Sequence, residues 1–158
     1  MRRLTLSGIL SLFVFAAACA SHSTPSTAST APEKRLASAT VTFSSLQDGK
    51  DAKSAVSVQL LRTGNELAAD GTTTGTEFKD NTTAAPLALS IKGPFGRDDA
   101  PAGQLRLRLT PDGDDTWTFD VQLALHYADE TQQNYRWQSV RLDEKAPERT
   151  LVLAGAQQ

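Results

Sequence analysis

The chain has 158 residues, of which 39% are hydrophobic, and its 18 acidic side chains slightly outnumber its 16 lysines and arginines. The formal net charge of −2 argues against nucleic acid or an anionic lipid surface as the main partner, because basic patches bind those ligands. The chain has one cysteine, so an intramolecular disulfide is excluded and the fold must depend on its hydrophobic core.

Residues 1–18 have the pattern of an export signal. Arg2 and Arg3 precede an apolar run over residues 4–18, and this run ends in small residues. A membrane-spanning helix needs about 20 apolar residues, whereas this run is shorter and is interrupted by polar side chains. We therefore predict a cleaved signal peptide over residues 1–18.

The predicted signal ends in Ala16-Ala17-Ala18, directly before Cys19. This arrangement resembles the lipobox of bacterial lipoproteins, in which small residues precede a cysteine that is lipidated and becomes the new N-terminus. The family more often has leucine three residues before the cysteine, where this chain has Ala16. The resemblance implies lipidation of Cys19, which would make the membrane a partner. The alternative is ordinary secretion, with cleavage after Ala18 or Ala20.

The resemblance also implies a location. The residue after Cys19 is Ala20 and not aspartate, which in Gram-negative lipoproteins implies sorting to the outer membrane. The protein is then expected to be lipid-anchored there, facing the periplasm or the cell surface.

Residues 19–38 are dominated by serine, threonine, alanine and proline and have no apolar period. Such a segment buries too little apolar surface to order itself, so we predict a flexible tether. The folded domain is then expected over residues 39–156.

Within that domain, apolar residues alternate with polar ones, which is the period of a strand with one buried face. The longest such run places six apolar side chains on one face between Trp117 and Tyr127. The alternating positions are Val41 and Phe43; Val56, Val58 and Leu60; Leu87, Leu89 and Ile91; Leu105, Leu107 and Leu109; Trp117, Phe119, Val121, Leu123, Leu125 and Tyr127; Tyr135, Trp137, Val140 and Leu142; and Leu151 and Leu153. A weaker strand candidate is "ELAAD", residues 66–70, after the turn Thr63-Gly64-Asn65.

These segments predict an all-β protein, a single antiparallel β-sandwich of seven or eight strands. An open barrel is the competing architecture. The alternation changes phase between Trp137 and Val140, which predicts a β-bulge at that point. Asp120, within the longest strand, is expected on a solvated outer face.

The stretch "TPDGDDTW", residues 110–117, joins two of the predicted strands. Pro111, Asp112 and Gly113 suit a tight hairpin turn, since glycine accepts a positive φ there. No turn requires Asp114 or Asp115. A calcium loop is therefore the alternative to a plain turn.

Antiparallel order would bring the loops after every odd-numbered strand to one end of the domain. Calcium takes six to eight oxygen ligands, usually from several loops, and this end is rich in acids. The candidate metal ligands are Asp48, Asp51, Asp80, Asp112, Asp114 and Asp115. The only cofactor predicted is thus Ca²⁺ at these loops, against the alternative that acids gather there because loops are solvated.

Three stretches, "QDGKD", "EFKDN" and "GDDTW", resemble PLAT-like domains, which are secreted sandwiches that bind calcium and lipid or sugar. The resemblance covers about five residues in each stretch and implies no role for an individual residue.

No nucleophile motif and no multi-histidine metal motif is present, so no catalytic residue is predicted. Trp117, Tyr135 and Trp137 are expected in the core or at strand ends, and an aromatic at a loop mouth would suit a sugar ring. The sequence therefore predicts a non-enzymatic binding or interaction module of the envelope, whose partner is an envelope protein or a carbohydrate. The alternative is a small envelope hydrolase or an accessory carbohydrate-binding domain.

Overall fold

A computed structural model describes residues 34–156. The predicted signal peptide, the lipidation site Cys19 and the tether up to residue 33 lie outside this range. No helix within it is long and apolar enough to cross a membrane.

The described chain forms eight strands and two short 3-10 turns, the turns at Thr63–Asn65 and Arg97–Ala102. The all-β prediction is confirmed, including the weak candidate "ELAAD", which lies in the third strand. The strands are β1 (Leu36–Ser45), β2 (Ala55–Arg62), β3 (Glu66–Thr73), β4 (Leu87–Ile91), β5 (Gln104–Thr110), β6 (Thr116–Tyr127), β7 (Gln132–Asp143) and β8 (Glu148–Val152). Strand β1 begins at Leu36, so residues 36–38 belong to the folded domain and not to the predicted tether.

All eight strands belong to one sheet, in the order β7-β6-β1-β4-β3-β2-β5-β8, and every neighbouring pair is antiparallel. The sheet is nearly barrel-shaped. Within residues 34–156, the two separate sheets of a sandwich are therefore not observed, and the shape is nearer to the barrel alternative.

Strand β4 joins the two halves of this sheet. Its first part, Leu87–Leu89, pairs with β1, whereas Ser90 and Ile91 pair with β3. A strand that changes partners midway forms a corner of the sheet. Leu89 is buried as predicted, whereas Ile91, also predicted on the buried face, is 41% exposed.

The core lies on the concave face, and the alternation of the longest strand is fully confirmed. All six inward side chains of β6, from Trp117 to Tyr127, are buried. At one end of the core, Trp117 packs against Phe43, Phe78 and Phe119, with ring centroids 3.8–5.1 Å from its own. Its indole Nε1 donates a 2.9 Å hydrogen bond to Ser45 Oγ, so its one polar group is satisfied inside the core.

The predicted bulge is present in β7. Phe119 pairs with Val140 and Val121 with Trp137, so two residues of β7 lie opposite Asp120. Ser139 has a φ of +53°, and its amide donates to Asp120 Oδ1 at 3.0 Å. Asp120 also accepts a 3.0 Å bond from the Arg136 guanidinium. Asp120 therefore holds the bulge in place. It lies on the outer face as predicted, but its side chain is only 14% exposed and paired and not solvated.

The connection from β5 to β6 is a turn, and Gly113 has the expected positive φ of +85°. It is not a hairpin, because β5 pairs with β2 and β8 while β6 pairs with β1 and β7. Both strands bury one face against the same core from opposite halves of the sheet. The turn at Pro111–Gly113 therefore crosses over the end of the core.

We expect Leu123→Ala to lower the free energy of unfolding by about 2–5 kcal/mol, because it leaves a cavity at a fully buried position in the centre of β6. The matched control is Gln122→Ala, an exposed position on the same strand, which should change stability by less than about 0.5 kcal/mol. Chemical denaturation of both variants measures the difference, and equal effects would contradict the assigned faces of β6.

The two tyrosines of the chain, Tyr127 and Tyr135, both lie in the core. Burial raises the pKa of Tyr127, with a further contribution from Tyr135 and an opposing one from Arg97, and burial raises the pKa of Tyr135. The folded protein should therefore show no tyrosinate absorbance step near the ordinary value of about pH 10.

The two tyrosines of the unfolded chain should titrate at the ordinary value of about pH 10. Above about pH 10 the tyrosines of the unfolded chain lose their protons while those of the folded chain retain them. The stability contributed by the two buried neutral tyrosines is therefore complete below about pH 10 and is lost as the pH rises further. Ultraviolet titration of folded and denaturant-unfolded protein measures both states, and a normal tyrosinate step in the folded protein would contradict the assignment.

Candidate functional site

Two regions of the described chain are candidate functional sites, because their charged side chains are not required for packing the hydrophobic core. The first is the loop end, formed by the connections β1–β2, β3–β4 and β5–β6. These loops meet as the antiparallel order predicts: Lys50 bridges to Phe78, and the Asp112 amide donates to Ser54 Oγ at 2.9 Å.

Lys50 lies at the centre of the loop end and is fully buried. Its ammonium group donates to three backbone carbonyl oxygens, those of Asp51 at 2.7 Å and of Ser54 and Thr76 at 2.6 Å each. The same Nζ lies 5.1 Å from the centre of the Phe78 ring. Lysine has three N–H donors, so these carbonyls use its full hydrogen-bonding capacity.

The carboxylate of Asp115 supplies the opposing charge. Asp115 is only 7% exposed, and its Oδ2 is buried without a hydrogen-bond partner among the described residues. Burial lowers the pKa of Lys50, while the charges of Asp115 and Asp51 act in the opposite direction. The Asp115 carboxylate acts on the Lys50 ammonium only through its charge, since the two form no hydrogen bond or ion pair within the described residues. The sequence did not reveal this buried cation.

The six predicted metal ligands share this end but do not converge on one point. Asp80 accepts a 2.6 Å bond from the Gly49 amide, and Asp112 lies 3.7 Å from the Lys53 ammonium. The remaining members are Asp48, Asp51 and Asp114, which are exposed, and Asp115, which is buried. Asp48 adopts a left-handed φ of +55°, and no contact in the described chain explains Asp114.

Within residues 34–156, no group of three or more histidine, cysteine, aspartate or glutamate side chains could hold a metal ion. A positive charge already lies among the carbonyl oxygens at this end, in the form of Lys50. Calcium binding at these loops therefore stays a prediction from the sequence, without an assembled ligand set in the described residues.

The second region is the seam between the two edge strands of the sheet, β7 and β8. The seam is bounded by one backbone bond at each end: the Asp143 amide donates to Ala146 O in the β7–β8 connection at 3.3 Å, and the Arg136 amide donates to Ala156 O, beyond the end of β8, at 3.1 Å. Between these contacts the two strands diverge, since β7 pairs with β6 and β8 pairs with β5. The barrel is thus not closed by strand pairing along this line.

The gap is a groove with a volume of about 780 Å³, which we name the seam groove. Its lining consists of residues 136–141 of β7, Arg149, Leu151 and Val152 of β8, and residues 154–156. Val140 and Leu151 supply an apolar floor continuous with the core. Trp137 stacks on Tyr135 with 6.2 Å between ring centroids, and its Nε1 donates to Val152 O at 3.2 Å across the seam.

Three guanidinium groups line the seam groove, those of Arg136, Arg141 and Arg149, and no carboxylate appears among its described lining residues. Because two of these arginines form ion pairs with carboxylates just outside the lining, the excess positive charge within the described residues is that of Arg149. Arg136 and Arg141 are each paired on one side, with Asp120 and Asp143 respectively.

Arg149 is the one arginine of the lining that forms no ion pair within the described residues. In the β5–β8 ladder Arg149 lies opposite Leu107, which is buried. Residues opposite each other on neighbouring strands share a face of the sheet, so the Arg149 side chain starts on the inner face. It is nevertheless exposed, because the seam is open there, and no ion pair involves it within the described residues. The groove thus presents a cation above an apolar floor.

Of the three aromatics expected in the core or at strand ends, two lie in the core and the third lies in the middle of β7. Trp117 and Tyr135 are buried, whereas Trp137 is half-buried at the seam groove. The sequence did not indicate the groove itself, because its residues come from strands whose failure to pair is a property of the whole sheet.

No protein-family model matches this chain, and no curated protein matches it. The chemistry of the loop end and of the seam groove is therefore the basis on which a function is proposed.

We expect Lys50→Met to lower the free energy of unfolding by roughly 3–5 kcal/mol, because Asp115 then lies buried without its opposing charge and three carbonyls lose their donor. The matched control is Lys53→Met, an exposed lysine in the same loop, which should change stability by less than about 0.5 kcal/mol. Denaturant unfolding measures both.

A second substitution separates charge from packing. In the double variant Lys50→Met/Asp115→Asn, part of the loss should be recovered, since no unpaired buried charge remains. If Lys50→Met were as mild as its control, the central role of the ammonium group at the loop end would be refuted.

Proposed function

We propose that the protein is a lipid-anchored, non-enzymatic binding module of the bacterial envelope, attached to the outer membrane through Cys19, with the seam groove as its ligand site. In this proposal the segment between Cys19 and β1 is a tether that lets the domain reach its ligand. The sandwich description is replaced by an open, nearly barrel-shaped domain whose unclosed seam is the functional feature.

The observation that carries the proposal is the composition of the seam groove. Its volume of about 780 Å³ is within the range of ordinary ligand sites, about 300–1,000 Å³. Such sites combine an apolar surface with a few polar groups that orient the ligand. Here Val140, Leu151 and Trp137 supply the apolar surface, and Arg141 and Arg149 supply the polar groups.

Binding fits this groove better than hydrolysis does. Acid–base chemistry needs a group that gains and loses a proton, such as a carboxylate, histidine or cysteine. None of these lines the groove within the described residues, and arginine stays protonated throughout the physiological range. The groove instead suits an elongated ligand that carries negative charge.

An accessory carbohydrate-binding domain is the second candidate, and Trp137 is the observation that favours it. The indole is half-buried at the groove and already stacks on Tyr135, which leaves part of the ring free for a sugar. Arg141 and Arg149 would then select an acidic sugar over a neutral one.

The binding proposal is tested by nuclear magnetic resonance on the chain from residue 19 carrying Cys19→Ser. An acidic peptide, an anionic oligosaccharide and a neutral oligosaccharide are titrated separately. We expect at least one anionic probe to shift the amide signals of the seam groove, with weaker binding to Arg141→Ala/Arg149→Ala. The control is Arg108→Ala, an exposed arginine on the outer face of β5. If neither anionic probe shifts the groove, the proposed ligand site is wrong.

The anchor is tested separately. We expect Cys19→Ser to abolish lipid attachment, because serine has no thiol to acylate, and to leave an unprocessed or soluble protein. Membrane fractionation and metabolic labelling with a fatty acid measure this in a Gram-negative host. A Cys19→Ser protein that is still cleaved normally and still held at the membrane would refute the lipobox assignment.

A further inference from the structure

We propose that the ligand of the seam groove is an extended peptide segment with acidic side chains, which adds as a strand between β7 and β8. This inference rests on the proposed binding function and names the class of partner. It is carried by the backbone groups at the edges of the groove and by the charge of its lining.

The edge of β8 directs backbone groups into the groove, of which Val152 O already accepts from the Trp137 indole. Successive residues of a strand direct their N–H and C=O groups to opposite sides. Leu153 N donates towards β5, to Gly103 O, whereas Val152 O accepts from Trp137 across the seam. Val152 and Thr150 therefore direct their backbone groups into the groove.

The edge of β7 offers its groups from the opposite wall. Arg136 N and Asp143 N point away from β6 and are already bonded at the two ends of the seam, to Ala156 O and to Ala146 O of the β7–β8 connection. Arg141 follows the bulge and lies two residues before Asp143. Its backbone N–H and C=O groups therefore point to the same side of the strand as those of Asp143, towards the groove. Within residues 34–156 neither β7 nor β8 has a second strand partner. A sheet edge with unpaired N–H and C=O groups is a template for an added strand.

The charge of the groove selects the side chains of the added strand. A strand places alternate side chains on opposite faces, so one set would meet the floor at Val140 and Leu151. The other set would lie on the outer face near the guanidinium group of Arg141, which pairs well with carboxylates, while Arg149 starts on the inner face on the same side as Leu151. A peptide of alternating apolar and acidic residues matches both surfaces.

The same charge argues against a second copy of this chain as the occupant. A symmetric dimer would place the same edge of each copy against the other. The arginines of the two grooves would then face one another without carboxylates in the described lining, and like charges on adjacent strands are destabilising.

The test uses a synthetic peptide of alternating glutamate and valine, about six residues long, the usual length of a strand. Three related probes accompany it: the same peptide with alternate backbone nitrogens methylated, its lysine analogue, and an anionic oligosaccharide. Binding to the chain from residue 19 with Cys19→Ser is measured by calorimetry, and the site by amide signals and hydrogen exchange.

We expect the glutamate peptide to bind and to slow amide exchange at Arg141, Thr150 or Val152. The methylated peptide, which keeps the side chains but lacks strand donors, should bind at least about tenfold more weakly, as should the lysine analogue. Arg141→Ala/Arg149→Ala should weaken the glutamate peptide by at least about tenfold, and Arg108→Ala should leave its affinity unchanged.

The remaining outcomes overturn the inference in distinguishable ways. If the oligosaccharide binds the groove and the peptide does not, the binding function stands and the peptide is wrong. Equal affinity for the methylated peptide refutes strand addition, and self-association through the groove identifies a second copy as the occupant. If no probe binds, the proposed function fails as well.

Discussion

The arrangement of the loop end depends on one buried positive charge. Removing a lysine ammonium from water is costly unless hydrogen bonds and an opposing charge replace the lost solvation. Lys50 meets that condition where two loops come together, since its ammonium donates to carbonyls of the β1–β2 and β3–β4 connections. The charges of Asp115 and Asp51 favour the ammonium form as well. The acidic character of these loops is thus partly the counter-charge of an internal cation.

The second constraint is the corner at β4. Its five residues pair first with β1 and then with β3, which joins two half-sheets into one and curves the whole around a single core. The curvature brings β7 and β8 close without pairing them along their length. The bulge at Ser139, held by Asp120 and Arg136, adds to this separation, because bulges bend a strand away from a regular ladder.

These constraints place the seam groove at the surface and not inside the barrel. The interior is filled by packed aromatic and aliphatic side chains, so an internal cavity of the kind found in larger barrels has no room there. The open seam instead exposes the inner face of the sheet along a line, with arginines on its rims. An exposed sheet edge is a risk for aggregation, and charged side chains with a bulge are the usual protection against it. The same features suit regulated capture of one strand, which is the function proposed for the groove.

The sequence alone determined the β character, the faces of the strands, the bulge before Val140 and the end at which the acidic loops gather. Each of these follows from a local period of two residues or from antiparallel order, and both can be read along the chain. The positive φ of Gly113 was predictable for the same reason, since turn geometry is local.

Only the tertiary structure decided which strands are neighbours. Alternation says which face of a strand is buried but not which strand lies beside it. For this reason the sequence predicts a hairpin at the β5–β6 turn and two sheets, whereas the structure has neither within residues 34–156. The buried state of Lys50 and the role of Asp120 depend on groups distant in sequence, such as Thr76 and Ser139. The seam groove also depends on groups distant in sequence, because it lies where β7 and β8 fail to pair. Whether these two strands pair is decided by the closure of the whole sheet and not by a local pattern.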